Sequence, residues 1–580
     1  MPDAPDSKPE SSPDAAAPEE KAPPNTASGS RASSVAAGIF ASRIVGLLRE
    51  RTIAYYFGVS AHADVLQVAF RAPNLLQNLL GEGTISAAFI PIYSRMIDEG
   101  RHEDAGRFAG AIFGLLLATA AAVSAAGIVL AEPIVALLAP GYVGDAARVA
   151  AGELSVNRFE LAARAVRVIF PMAGVLVLSA WALGILNSHR RFFVSYVAPV
   201  LWNVAIIAAL AGGAYWSTGT PFAPAALQGE TLTTLLMTAC VGAFVGGTLQ
   251  VAVQLPFVAS HLQGFRLAVS TRVKGVRDAL SAFGPVVAGR GVAQLSGYLD
   301  LFLASLLAVG AQSALRYAQL FYLLPISLFG ISVAASELPE LSRLTDARAA
   351  RFLRRMRRSL RQISFLTVPT VIGYLAFGYL IVGALLRTGQ FQASSNGLVY
   401  LVLAGYSLGI LATTMSRLLQ NAFFALGDTK TPARTAVVRV TVSTVVAVPA
   451  MFALDRVAVG GLAEAVLGAS LPGDPLFLGA LGLSLGASVG AWVELWRLLS
   501  ALRAALPEAT VPWRPVLHMT GRATAAAVPA AGLWLALPPS WPLLPGAVLV
   551  PGSYAATYLG IAYLFGSDAL KAWIGRFLRR

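Results

Sequence analysis

The chain has 580 residues, of which 56% are hydrophobic and only 13% charged. Soluble domains carry about a quarter charged residues, so a water-soluble globular protein is excluded. The net charge of +14 lies in short loops between apolar segments, where it sets membrane topology and gives no sign of nucleic-acid binding.

Residues 1–33 contain no apolar run and are expected to be a disordered cytoplasmic tail. They are not a secretory signal, because the apolar helix that follows is charged and has no small-residue cleavage site. Hydropathy then predicts fourteen spans: 35–58, 64–96, 106–131, 160–187, 193–217, 232–260, 279–309, 312–343, 359–387, 397–426, 433–454, 476–504, 516–537 and 543–566. The fold class is therefore an all-α polytopic membrane protein.

The first span sets Arg43 ~13 Å and Arg49 ~22 Å into the bilayer. A charge at that depth costs at least ~2.5–3.5 kcal/mol unless it faces water or a partner, so it is functional by default. Snorkelling to the surfaces, with Glu50 and Arg51 simply pairing, is the bland alternative. Span two adds Asp64, Arg71 and Glu82, and is broken at Pro73 and at Gly81-Glu82-Gly83. Breaks are tolerated where backbone lines a cavity or packs on a neighbour. Cys240, the only cysteine, lies in span six and can form no internal disulfide. Span seven carries Arg290 and Asp300, ten residues apart and so on nearly the same face. Span eight carries Arg316 and Glu337, and span ten Arg417. Arginine is suited to bidentate grip on phosphate, so a cavity biased positive favours an anionic substrate.

Basic loops alternate consistently with apolar ones, which places both termini in the cytoplasm. The runs Arg351 to Arg358 and Trp573 to Arg580 read as topology signals or as amphipathic pieces on anionic lipid. Pro91-Ile-Tyr-Ser-Arg-Met96 matches Pro339-Glu-Leu-Ser-Arg-Leu344, and the same offset sets Arg71 against Gln319. Spans one to twelve are thus expected to form two parallel six-helix bundles around a central cavity, 34–261 and 262–506. Residues 507–566 supply two further helices, and 567–580 a basic cytoplasmic tail. The five histidines (His62, His102, His189, His261, His518) are scattered, with no metal-ligand spacing. An enzyme is not expected, for want of a nucleophile, metal site or phosphate-cradling loop. Gly81-Glu82-Gly83 reads more simply as a kink than as a nucleotide loop.

Ser42-Arg43-Ile-Val-Gly46-Leu-Leu-Arg49-Glu50, Phe57-Gly58, Ala63-Asp64, Phe70-Arg71-Ala-Pro73-Asn74, Gly81-Glu82-Gly83 and Ala88-Phe-Ile-Pro91 resemble the signature of the MurJ/MviN lipid II flippases. That family lies in the multidrug, oligosaccharidyl-lipid and polysaccharide exporter superfamily. Further matches are Phe283-Gly284-Pro285, Asp300 with Ala304-Ser305, Arg387-Thr-Gly389-Gln-Phe391 and Gly427-Asp428-Thr-Lys430-Thr-Pro432. The resemblance covers roughly residues 33–566. It implies a cavity for a diphosphate and sugar-peptide headgroup, a groove by the last two helices for the polyprenyl tail, and a role in bacterial cell-wall synthesis at the inner membrane. Carried over by position, Arg43, Arg49, Asp64 and Glu82 match the family's functional charges. The chain departs from the family at Gln77-Asn78 and at Gln319-Leu320, where basic residues are usual.

The expected substrate-binding set is Arg43, Arg49, Asp64, Arg71, Glu82, Arg290, Asp300 and Arg417. The expected partners are lipid II or a related polyprenyl-diphosphate lipid, the membrane, and proteins of wall synthesis or division. No cofactor is expected; whether a monovalent cation or the membrane potential drives transport is left open. Two alternatives stand: a flippase for another polysaccharide-linked lipid, and a transport-dead scaffold of wall synthesis, for which Leu320 speaks. A drug antiporter would need an acid-dominated cavity.

Overall fold

The computed structural model describes residues 26–331, 349–461, 464, 475–538, 541–566 and 570, and for a few helical residues, Glu82 and Arg290 among them, the backbone alone. Nineteen α-helices of six residues or more are defined among the described residues, and no strand.

Helix α1 (Thr26–Phe57) starts eight residues before the end of the expected disordered tail. Its Ala- and Ser-rich first turns propagate cheaply from the apolar helix that follows, because extending a helix is far easier than nucleating one. Span two forms three pieces, α2 (Ala61–Leu80), α3 (Glu82–Ala88) and α4 (Ile90–Asp98). The break falls at Gly81, where a Cβ would run into the Gln77 carbonyl, so the glycine pair is a kink as expected. There follow α5 (His102–Val129), α6 (Ala131–Leu138), α7 (Asp145–Ala150), α8 (Arg158–Ile169), α9 (Pro171–Ser188), α10 (Phe192–Thr218) and α11 (Glu230–Ala259). The second half holds α12 (Val276–Ser305), α13 (Ala311–Pro325), α14 (Ala349–Leu386), α15 (Ala393–Ala425), α16 (Lys430–Leu454), α17 (Gly479–Ala505), α18 (Trp513–Ala536) and α19 (Leu543–Leu564).

Eight helical stretches among the described residues are long and apolar enough to cross a membrane. The other six predicted spans, each charged or broken, coincide with α1, α2–α4, α12, α13, α17 and α18. Loops 99–101, 189–191, 260–275, 426–429 and 506–512 lie at one end of the bundle, called here the basic end. Loops 58–60, 219–229, 306–310 and 387–392, with 455–458 and 475–478, lie at the other, the sealed end.

Two buried clusters are built mainly from α1–α11 and two from α13–α19. The expected boundary at 262 is less clean than the sequence suggested. Helix α12 gives Val276 and Ala279 to a first-half cluster and Leu303 and Ala304 to a second-half one. The basic run Arg351–Arg358 is helical. It extends span nine as helix, with Phe352, Leu353 and Met356 buried against Ala509, Val511 and Met519. The repeat partner Pro339–Leu344, Glu337 and the tail Trp573–Arg580 lie outside the described residues.

A proline in a helix removes the donor to the carbonyl four residues earlier. In this bundle tyrosines from other helices supply it. Tyr558 donates to Phe365 O (3.1 Å), four residues before Pro369, and Tyr374 donates to Phe321 O (3.0 Å), four before Pro325. After Pro325 the chain widens into a π-type turn, Ile326–Ile331, as a freed carbonyl allows.

The segment joining the halves is pinned. Gly106, Gly110 and Gly114 form one stripe on α5, and a Cβ on any of them would collide with the backbone carbonyl of Gln263, Arg266 or Ala268. Gly110→Val is expected to lower the thermal unfolding midpoint of purified protein, since overpacking of this kind costs about 1–3 kcal/mol. Gly212→Val, facing open space, should leave that midpoint unchanged; equal effects of the two would sink the account.

Candidate functional site

The first span's charges meet the second half through one carboxylate. Glu50 Oε1 accepts from Arg49 Nη2 at 2.6 Å and from Arg316 Nη2 of α13 at 2.7 Å. Arg49 also donates to Asn203 Oδ1 (2.9 Å) and lies 4.7 Å over the Trp202 ring, both on α10. The Glu50 side chain is 4% exposed, Arg49 12% and Arg316 29%. Arg49 is therefore not the freely presented grip that depth alone suggested: protein groups fill it. Glu50 Oε2 and Arg49 Nε are buried without a hydrogen-bond partner among the described residues. Arg43 lies seven residues before Glu50, two turns down the same face, and its side chain is exposed.

In this conformation Asp64 is engaged in a contact between the halves. It is 1% exposed, and its two oxygens accept from Gly310 N (2.6 Å) and Ser313 N (2.8 Å). A first-half carboxylate thus caps the N-terminus of a second-half helix, where unpaired N–H groups and the helix dipole favour negative charge. Around this latch, Tyr317 donates to Gly58 O (3.1 Å), and Gln390 N donates to Tyr55 O (2.9 Å). Gly58 and Gly389 both have positive φ and face the partner loop so closely that neither admits a Cβ. The Phe57-Gly58 and Thr388-Gly389-Gln390 motifs are thus two faces of one closure. Tyr142, packed under the buried Asp145–Arg158 pair, donates to Gln312 and adds a further bond across the seam.

Below the latch, towards the basic end, Gln67, Arg71, Asp300, Gln312, Arg316 and Gln319 line a narrow cleft. Arg71 and Gln319, set against each other by the repeat offset, both face this space. The cleft holds about 20 Å³, room for about one water, so no headgroup fits it in this conformation. From Gln319 a polar ladder climbs α13. Gln319 Nε2 donates to Tyr406 OH (3.2 Å), Tyr406 stacks on Tyr322 (4.8 Å), and Tyr322 bonds Thr413 (3.3 Å). The ladder leads towards an Arg439–Glu494 pair (2.8 Å), whose carboxylate also accepts from Gln420 (2.8 Å). Arg417 is exposed beside that pair.

Arg71 and Asp300 therefore share the cleft with Arg316, while Arg49 reaches it through Glu50. Arg417 sits apart, and the Glu82 and Arg290 side chains lie outside the described residues. Arg439 and Glu494 were missed in the sequence, although each is a charge inside an apolar run. Leu320 packs in the second-half core, and the cation near the usual basic position comes one turn earlier, from Arg316.

Gly427-Asp428-Thr-Lys430-Thr is turn chemistry: Asp428 Oδ1 accepts from Lys430 N (2.9 Å) and Thr431 N (3.0 Å). Hydrogen bonds from the Thr431 hydroxyl and N–H hold that carboxyl below its usual range. Among the histidines, His189 and His261 do come together, with ring centres 4.5 Å apart. An apolar groove of about 280 Å³ runs between α14 and α19, lined by Pro369, Gly373, Tyr554 and Leu559.

Comparison with known proteins adds the following. The family model described as lipid II flippase MurJ matches residues 53–543. A probable lipid II flippase MurJ of Rhizobium tropici is 31% identical over 430 residues, covering 74% of this chain and 76% of that protein. The lipid II flippase MurJ of Burkholderia cenocepacia is 31% identical over 401 residues, 68% of this chain and 73% of that one. A solved lipid II flippase MurJ in an inward closed conformation superposes with TM-score 0.68 at 21% identity, over 92% of this chain and 99% of that one. An inward-facing multidrug transporter of the wider superfamily gives 0.53 at 16% identity, over 80% of this chain and 96% of that one. The two solved structures share the fold.

Proposed function

The chain belongs to the MurJ family of lipid II flippases, and from that premise we propose that it carries an anionic polyprenyl-diphosphate lipid, lipid II, from the inner to the outer leaflet of the bacterial cytoplasmic membrane. The observation that carries the reading is the Arg49–Glu50–Arg316 cluster with Arg71, at the seam of the two halves and roughly 8–15 Å inside the sealed end. Two guanidiniums converge on one carboxylate, so Glu50 stands where a phosphate would stand. A diphosphate arriving from the basic end displaces Glu50 and takes both arginines, with Arg43 as the first contact. Exchanging one anion for another avoids leaving two buried cations bare, which would be far more expensive than the exchange itself.

The basic end is the cytoplasmic one in this scheme, on the strength of its arginine-rich loops. The latch at Asp64 keeps the outer side shut until the halves rock. The inside-negative potential favours outward movement of an anion by ~2.3 kcal/mol per charge per 100 mV, which makes it the driving force. The groove between α14 and α19 takes the polyprenyl tail. Arg316 in the cleft answers the deficit at Leu320, and nothing in the site favours a scaffold over a carrier.

Expression in cells depleted of their own flippase tests the reading. Restored growth, with labelled precursor on the outer leaflet, is expected. Protein present in the membrane without either result would overturn it.

A further inference from the structure

A cavity lies beyond the latch, on the side away from the cleft. It holds about 620 Å³ between the halves at the sealed end, a size usual for small-molecule sites. Ser60, His62 and Gln228 face it from the first half, and Gln390, Gln392 and Ser395 from the second, with Phe57, Leu227 and Leu476 as apolar walls. No Asp, Glu, Lys or Arg lines it among the described residues.

Its place in the fold is fixed by two helices. Along α2 the order is His62 in this cavity, Asp64 in the latch, then Gln67 and Arg71 in the cleft. Along the start of α13 it is Val309 in the cavity, Gly310 and Ser313 in the latch, then Leu315, Arg316 and Gln319 in the cleft. Cavity and cleft are thus consecutive chambers on one path with a single closure between them. The inner chamber is charged and suits phosphate. The outer one offers hydroxyl, carboxamide and imidazole groups against apolar walls, which suits a neutral ligand with hydroxyls, amides and small methyl groups.

We propose that this outer chamber is a release-side binding site for the neutral N-acetylated sugar portion of the carried headgroup. The inference rests on the flippase reading and deepens it. Because its walls come from both halves, the site is complete only while the seam is sealed, so it takes from the outer side the sugar of a headgroup already delivered, and separation of the halves dismantles it and lets the sugar go.

The test uses purified full-length protein in nanodiscs and saturation-transfer NMR with N,N′-diacetylchitobiose as probe. The expected result is saturation of the acetyl methyls, at least about 5-fold stronger than for de-acetylated, cationic chitobiose. That signal should fall at least about 5-fold in Gln228→Leu/Gln392→Leu, and Arg316→Ala should retain it. Equal signals for the two sugars, no signal from either, or a signal indifferent to the glutamine pair would overturn the proposal. Complementation is scored separately on the unsubstituted chain. Complementation without sugar binding removes this inference alone, whereas sugar binding without complementation removes the flippase reading.

Discussion

Arg316→Ala is expected to abolish complementation and to reduce appearance of labelled precursor on the outer leaflet by roughly 100-fold. Arg316 is the second-half residue that reaches Glu50, and the cleft opens beside it. A charge-assisted hydrogen bond is worth about 1.5–3 kcal/mol. Losing a bidentate pair to phosphate therefore removes about 3 kcal/mol, which is more than a hundredfold in binding. Arg316→Lys keeps the charge but not the planar fork and should fall between. Glu50→Gln separates grip from turnover. It leaves two guanidiniums without a counter-charge, so the diphosphate lipid should bind more tightly while release slows. Normal flux from Arg316→Ala, with protein level unchanged, would remove this cluster from the mechanism.

The second large effect is expected at Asp64→Ala. That substitution strips the α13 N-terminus of both its carboxylate bonds. Capping losses run about 0.5–2 kcal/mol; at about 2 kcal/mol the balance shifts ~30-fold towards the state open at the sealed end. Leu315→Cys, in the cleft beyond the latch, reports it. A membrane-impermeant maleimide should label this cysteine at least about 10-fold faster in the Asp64→Ala background. The native Cys240 is buried and should stay silent. Unchanged labelling would mean that Asp64 does not hold the seam.

Much of this architecture could be read from residues alone. Apolar length located most of the long helices within a few residues, since a bilayer dictates how long an apolar helix must be, but the helices of spans one and nine begin nine and ten residues earlier than hydropathy placed them. Gly81 announced its break, because its backbone limits are local, whereas the break expected at Pro73 is absent: α2 runs through it. What the sequence hid was partnership. Charge at depth marked Arg49 and Asp64 as functional, yet not that one would be occupied by Glu50 and Asn203 and the other by a helix end. Glu50 was noticed only as Arg49's neighbour, because nothing local reveals a bond across 266 positions to Arg316. Gly58 and Gly389 looked like separate motifs for the same reason.

The tyrosines that serve helix α14 around Pro369 carry a last implication. Tyr558 and Tyr554 of α19 reach Phe365 O and Pro369 O (2.8 Å) of α14, and these same residues frame the apolar groove. Two hydroxyls anchored on α14 carbonyls, one of them freed by Pro369, bolt α19 to the second half. Any tilt of that half must therefore haul the groove along as one piece, so a polyprenyl tail held there, as proposed, would swing in step with the head instead of trailing behind it.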